Sequence, residues 1–386
     1  MKTVYFDHAA TTPLDERVLE AMMPYLKENY GNPNSAHHLG QKTKVVIEDA
    51  REKVASLIGA EPSEIVFTSG GTESDNAVIK GALAVSGNKK EVITSEIEHH
   101  AVLHTVEMEK MRGIKPVFAK PDATGKITAD AVREAINENT ALVSLMHVNN
   151  EIGTINPLSE IAEVCREFDV PFHSDTVQSL GKLPVDVREL GIDFLSGSAH
   201  KIYGPKGTGI MYVKNGARWV PWMIGGSQER RRRGGTLNVP GIVGFTKALE
   251  LAIEEMDNHT ARFTKLRSLL LEQLREKLSV KVTVNGPQDN GVPHILNLSF
   301  SDADNKHIDG EMLLLNLDIE GICVSNGSAC TSGAVEPSHV LAGIGMEPNL
   351  ANSSIRVSLG KQNTEEDITY LVDKLDAVLD RMFTIA

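Results

Sequence analysis

The sequence predicts an α/β fold, a mostly parallel sheet covered by helices on both faces, followed by a smaller α+β domain. Three observations carry this. Over the first two-thirds of the chain, short apolar runs alternate with longer amphipathic ones, the pattern of repeated strand–helix units. From about Gly241 a charged, proline-free helical stretch runs towards Leu278 and reads as a connector between domains. Beyond it, strands and helices no longer alternate in that way.

Taken in order, Ile65-Val66-Phe67-Thr68 reads as a strand and Gly70-Gly71-Thr72-Glu73 as the turn after it. A helical pattern then runs through Ala77, Ile79 and Leu83. Residues 91–94, 115–119, 141–146 and 170–173 read as further strands, with helices between them. After the connector, 280–284, 295–300 and 354–358 read as strands, and 313–317 and 364–382 as helices. The first dozen residues are expected to join the small domain or to lie across the boundary. Ligands in such sheets bind at the carboxyl ends of the strands.

At 386 residues the chain is long enough for one large domain and a smaller one. Its 41% hydrophobic and 24% charged content is ordinary for a soluble globular enzyme. No apolar run is long enough to span a bilayer, and the N-terminus lacks the apolar core of a signal peptide. Cys165, Cys323 and Cys330 make no disulfide framework and have no zinc-site spacing, so a reducing cytoplasm is expected. A net charge of −13 argues against nonspecific nucleic-acid binding.

The most informative run is Ser198-Ala199-His200-Lys201-Ile202-Tyr203-Gly204-Pro205-Lys206-Gly207. It sets a lysine beside a histidine and a hydroxyl, then bends the backbone through Gly and Pro. A lysine that forms a Schiff base must be held in place, partly desolvated, and close to groups that anchor a cofactor. Asp175 lies upstream, after Val170-Pro171-Phe172. An acid for a pyridine nitrogen and a lysine for an aldehyde point to pyridoxal 5′-phosphate (PLP). For Asp175 alone, capping the next helix fits as well. Gln178 is placed to donate to the ring's phenolic oxygen.

Gly70-Gly71-Thr72 stands between a strand and a helix. It suits a phosphate, though an ordinary N-cap threonine in a glycine turn is the commoner use. Ser198, His200 and Thr236 are candidates for further phosphate contacts. The run Arg230 to Arg233 is a further candidate, though such runs are more often solvated surface. Glu98-His99-His100 opens a helix, with His104 one turn after His100. That pair has metal-ligand spacing, but no suitable third ligand follows and no metal is expected. His99 is read as stacking on a planar cofactor and shuttling protons near neutral pH, and His100 and His104 as surface or core filling. Asn149-Asn150-Glu151 is a polar loop that either faces a cofactor or simply turns the chain.

Val324 is followed by a run of small residues around Cys330. Small residues let a loop swing, and a reactive thiol and an inert packed one both fit the residues alone. Cys165 and Cys323 sit in apolar patterns and read as structural. Arg356, on a strand of the small domain, is either a clamp for an α-carboxylate or a solvent-facing arginine.

Taken together, these motifs resemble the cysteine desulfurases, PLP-dependent enzymes of the class V aminotransferase family. The resemblance runs from Tyr5-Phe6-Asp7-His8-Ala9-Ala10-Thr11-Thr12 and Gly31-Asn32-Pro33 through Thr68 to Asn76, His147 to Gly153 and Ser198 to Gly207. It ends with Gly327-Ser328-Ala329-Cys330-Thr331-Ser332 and Ser354-Ile355-Arg356. Several long motifs in one order are far more specific than any one of them. The resemblance implies fold type I: a large domain over 15–258 with a seven-stranded, mostly parallel sheet, and a small α+β domain from 1–14 and 259–386.

It also implies roles. Lys201 carries the cofactor as a Schiff base, Asp175 pairs with the ring nitrogen, and His99 stacks on the ring. Asn150 and Gln178 face the ring oxygen, and Gly71, Thr72, Ser198 and His200 bind the phosphate. Thr236 reaches the phosphate of a neighbouring subunit, which implies a homodimer. Arg356 holds the carboxylate of L-cysteine, and Cys330 accepts its sulfur. Gly71 and Asn326 stand where alanine and serine are common in relatives. The expected partners are an iron–sulfur scaffold or a sulfur-carrier protein, with no nucleic acid and no membrane. Another PLP enzyme of this fold, an aminotransferase or a selenocysteine lyase, is the alternative. A non-catalytic assembly scaffold is another.

Overall fold

The computed structural model describes residues 2–326 and 338–385. In chain order its strands are β1 (Val4–Tyr5), β2 (Ile65–Thr68), β3 (Glu91–Thr94), β4 (Lys115–Phe118), β5 (Thr140–Ser144) and β6 (Phe172–Asp175). They continue with β7 (Phe194–Ser198), β8 (Gly209–Val213), β9 (Lys281–Asn285), β10 (Ile295–Ser301), β11 (Ile322–Cys323) and β12 (Ser354–Ser358). Seven of them form one sheet in the order β2-β8-β7-β6-β5-β3-β4. β8 runs against both its neighbours, and every other adjacent pair is parallel.

The strands at the middle of this sheet are buried along their whole length, because helices cover both faces. On one face the helices Glu16–Lys27, His38–Leu57 and Val239–Glu254 close over Val18, Ile47, Phe67, Phe172 and Phe245. On the other, Gly71–Leu83 and His100–Glu109 close over Val66, Val78, Val92, Val102 and Phe194. A separate core lies under the antiparallel sheet β12-β10-β9 and includes Phe6, Leu298, Phe300, Leu313, Ile355 and Leu371. β1 pairs in parallel with β11, Val4 opposite Ile322, so the N-terminus does join the C-terminal region. Among the described residues no helix is long and apolar enough to cross a membrane.

Two expectations need correction. The connector is not one helix: it breaks at Glu255 into Val239–Glu254 and Met256–Lys277. The first half buries Phe245 and Leu249 in the core of the large sheet, the second Phe263, Leu266 and Leu270 in the small core. The two halves must therefore aim their apolar faces differently, and the Glu255 carboxylate is meanwhile drawn to Arg17 Nη1 at 2.6 Å. The strand expected over 170–173 lies over Phe172–Asp175 instead. Its polar end stays in the sheet because His173 bridges its neighbours, with Nδ1 2.8 Å from Ser144 Oγ on β5 and Nε2 3.0 Å from Ser196 Oγ on β7. Satisfied polar groups can be buried at little cost, and this ladder carries Asp175 to the last position of the strand.

Candidate active site

The carboxyl ends of β2, β3, β5, β6 and β7 open onto one cleft of about 1130 Å³, counted out to its solvent mouth. Gly71, Thr72, His99, Asn150, Asp175, Gln178, Ser198, His200, Lys201 and Arg356 all line it. Thr236 is exposed and lies outside that lining. Cys330 lies outside the described residues. The chain that bears it is tied to the cleft at both ends: Ser325 and Arg356 pair through their backbones, and His339 Nε2 lies 2.8 Å from the Glu98 carbonyl.

Lys201 follows β7 in a single tight turn, Ala199–Lys201. Tyr203, two residues on, adopts a left-handed backbone with φ 63°, a strained conformation of the kind that clusters at functional turns. Lys201 Nζ donates to the carbonyls of Ala9 at 2.6 Å and Ala10 at 2.7 Å. Thr12 N–H donates to the His200 carbonyl at 2.9 Å. The N-terminal motif is therefore wrapped against the lysine.

Asp175 accepts the Val177 N–H at 2.9 Å. Burial pushes its carboxyl up to about 6, against the opposing pull of that N–H and of Lys201. Asp75, on the helix Gly71–Leu83, is pushed well up by burial and by the neighbouring Asp175, and its Oδ1 is buried with no hydrogen bond, 3.6 Å from His173 Nε2. Asp75, His99 and Asp175 present oxygen and nitrogen atoms within 4.8 Å of one another. A niche of that composition suits a positive group, a metal ion or a protonated ring nitrogen. His99 accepts the Ala101 N–H at 3.1 Å through Nδ1. Burial first, then Lys201, brings it down to about 4, so it is a neutral imidazole at neutral pH rather than a group titrating there. His100, expected only to fill space, also lines the cleft. Its ring lies 4.7 Å from His104 and 4.5 Å from His339.

The turn before the helix Gly71–Leu83 needs two glycines. Gly70 has φ 151°, open to glycine alone, and a Cβ on Gly71 would come within 2.5 Å of Val177 Cγ2. Val177 thus occupies the space that an alanine at position 71 would claim. Gly71→Ala is expected to destabilise the protein by about 1–3 kcal/mol through overpacking. Gly71→Ala with Val177→Ala should recover most of it, and thermal melts of the two variants check this.

Arg356 is 2% exposed. Its Nη1 donates to the Asn150 carbonyl at 2.9 Å and its Nη2 to Asp7 Oδ1 at 2.8 Å, while Nε is buried without a partner. The guanidinium is held from behind by the large sheet's loop and by the N-terminal segment. The arginine run is not simply a solvated face either: Arg233 pairs with Glu73 at 2.8 Å and is 18% exposed.

With this geometry in place, the comparisons are direct. The profile of the family described as "Aminotransferase class-V" matches residues 4–371. The chain belongs to that family. It is 48% identical to the "Cysteine desulfurase IscS" of Dictyoglomus turgidum, covering 100% of this chain and 96% of that protein. It is 44% identical to the "Putative cysteine desulfurase IscS 1" of Bacillus subtilis, covering 99% and 100%. Among solved structures, a "NifS-like protein" superposes with a TM-score of 0.91 at 39% identity, covering 98% of this chain and 100% of that one. Another, "SspA in complex with cysteine", gives 0.81 at 38% identity over 93% and 99%. The resemblance read from the motifs is borne out, as is the fold class.

Family members use PLP, and the cleft fits it. A protonated ring nitrogen suits the niche of Asp75, His99 and Asp175. A phosphate suits the start of the helix Gly71–Leu83, whose first N–H groups lack intrahelical acceptors, with Ser198 and His200 beside it. Keeping Asp175 buried has a cost that this pairing offsets. Its folded-state value is raised, so without the cofactor stability falls as pH climbs from the ordinary aspartate range through about 6. Cofactor-free Asp175→Asn is therefore expected to melt a few degrees above the cofactor-free parent at pH 8, with the gap closing towards pH 4. Its affinity for PLP should fall at the same time. Equal melting temperatures at pH 8 would count against this.

Sequence reasoning passed over Asp75, Glu98 and Lys182. Asp75 stood in the quoted motif Thr68 to Asn76 without a role, two residues before the apolar run Ala77-Val78-Ile79. Glu98 stood in a quoted motif without a role; buried, its Oε1 takes the Met146 N–H at 2.9 Å and ties the loop after β3 to the one after β5.

Proposed function

We propose that this chain is a cysteine desulfurase that converts L-cysteine to L-alanine and takes the sulfur onto Cys330 as a persulfide. The observation that carries this is the convergence of the Lys201 amine, the buried Asp175 carboxylate and the Arg356 guanidinium on one cleft, in a chain whose full-length relatives bear that name. When bound, PLP supplies an electron sink for the pair left at the substrate Cα.

The chain's own residues do the rest. Asp175 accepts the ring N–H and keeps that nitrogen protonated. Gly71, Thr72, Ser198 and His200 hold the phosphate, and Asn150 and Gln178 face the ring oxygen. Arg356, fixed by Asp7 and the Asn150 carbonyl, docks the substrate carboxylate. Lys201 removes the α-proton. The Cys330 thiolate then attacks the substrate sulfur: an S–S bond forms, the Cβ–S bond breaks, and the carbon skeleton takes up protons and leaves as alanine. A thiolate is required because a neutral thiol is a poor nucleophile. His99, neutral at working pH, is the group that handles the proton at sulfur.

Residues 15–258 form the cofactor-binding domain, and 1–14 with 259–386 the small domain; the separate cores and the β1–β11 pairing support this division. The enzyme works as a homodimer in which the exposed Thr236 serves the phosphate site of the second copy. It acts in the cytoplasm and passes sulfur to an iron–sulfur scaffold or another carrier. Arg356→Lys tests the substrate assignment. It should raise the KM for L-cysteine roughly 10- to 100-fold, the worth of a hydrogen bond to a charged group, with PLP still bound. An unchanged KM would remove Arg356 from the substrate site.

A further inference from the structure

Lys201 also lines a second pocket, of about 700 Å³ counted out to its solvent mouth, together with His8, Lys182 and His294. Lys182 has no part in the function above, yet it is joined to the site by an unbroken chain of hydrogen bonds. Its Nζ donates to Gln178 Oε1 at 3.1 Å. Gln178 Nε2 donates to the Ala9 carbonyl at 2.9 Å, and the same carbonyl accepts Lys201 Nζ at 2.6 Å. A carboxamide has one accepting end and one donating end, and a lysine ammonium has donors only. The Lys182 ammonium and the Ala9 carbonyl therefore demand the same orientation of the Gln178 amide, and Lys182 holds its accepting end.

The groups coupled electrostatically to Lys182 among the described residues are Lys201, Arg356, His8, His200 and His294, all of them basic; the same cavity is also lined by His259, by Lys361 and by the acids Asp15 and Glu255, which are paired with Arg17. Neither ring nitrogen of His8 has a partner, nor has Nε2 of His294. Bases thus surround this one hydrogen-bonded amide, while the two acids of the cavity wall are held by Arg17 and Lys361.

We propose that Lys182 is a positioning residue: its ammonium locks the Gln178 carboxamide with the donor end towards Ala9 and the cofactor, and as a like charge it disfavours protonation of Lys201. The proposal rests on the assignment of Lys201 and Gln178 to the cofactor. Mutual repulsion fits it: burial first, then Lys201 and Arg356, brings the Lys182 amine down to about 7, so the ammonium that makes this contact prevails below that pH. A neighbouring cation is a known way to keep a reactive lysine neutral.

The test uses apoprotein reconstituted with PLP. Two quantities are read: the dissociation constant, and the pH midpoint of the bound cofactor's absorption. Lys182→Met should raise the midpoint by about one unit, the size expected for one nearby charge. It should weaken PLP binding about five-fold through the freed amide. Lys182→Arg keeps the charge and donors, with the adjoining cavity to take the larger group, and should restore the midpoint. A Lys182→Met protein with the parent's midpoint overturns the proposal. So does Lys182→Arg shifted as far as Lys182→Met, because shape rather than charge would then be at work. Lys182→Gln repeats the measurement if Lys182→Met does not fold. Failure of the unmutated protein to develop any PLP absorbance would instead contradict the cofactor assignment itself.

Discussion

Lys201→Ala is expected to stop the conversion of L-cysteine to alanine, a loss of at least about 10⁴-fold, since one group is asked both to hold the cofactor covalently and to move the α-proton. Among the described residues that line the cleft, Lys201 is the one lysine. Lys182 lines the neighbouring cavity and is held by Gln178. The variant also gives up the hydrogen bonds to the Ala9 and Ala10 carbonyls, so a thermal melt must accompany the assay. A folded Lys201→Ala protein that retained a tenth of the parent rate would exclude Lys201 from both roles. PLP should still enter the cleft, held by the phosphate contacts and Asp175, but dialysis should remove it.

The second large effect belongs to Cys330. Cys330→Ser should bind PLP and L-cysteine as the parent does, yet form alanine at least about 10³-fold more slowly, because a hydroxyl is a far weaker nucleophile than a thiolate. Neither other cysteine is an obvious substitute. Burial pushes the Cys165 thiol up to about 12, and Cys323 is held in β11 with its thiol also raised by burial. Ser325 and His339, at either end of the segment that bears Cys330, both sit against cleft residues. Alanine formed by Cys330→Ser at the parent rate would refute the assignment.

Much of this was legible in the sequence because motifs and strand ends coincide. In a parallel sheet the loops at one edge converge, so Gly71, Asp175 and Lys201, each just after an apolar run, had to meet. The break at Glu255 was not legible, since no proline or glycine marks it. It follows from two cores that demand different apolar faces. The position of β6 was missed by two residues because Ser174 and Asp175 read as a loop until the Ser144–His173–Ser196 ladder explains how the polar end of the strand is buried. Asp75 and Lys182 were missed for a related reason. Each is a charged residue whose position matters through neighbours it meets in the fold, Asp175 for Asp75, and Gln178 with Lys201 for Lys182. Val177 belongs with them: its pairing with Gly71 is a matter of volume, and no motif encodes volume.

The central claim is that sulfur leaves L-cysteine by way of Cys330. The most direct measurement is a single turnover of the PLP-loaded enzyme with L-cysteine and no reductant, scoring alanine against the mass of the peptide that contains Cys330. One sulfur atom gained by Cys330 for each alanine released is the predicted result. Alanine released with no sulfur on Cys330, or with the sulfur on Cys165 or Cys323, would contradict it.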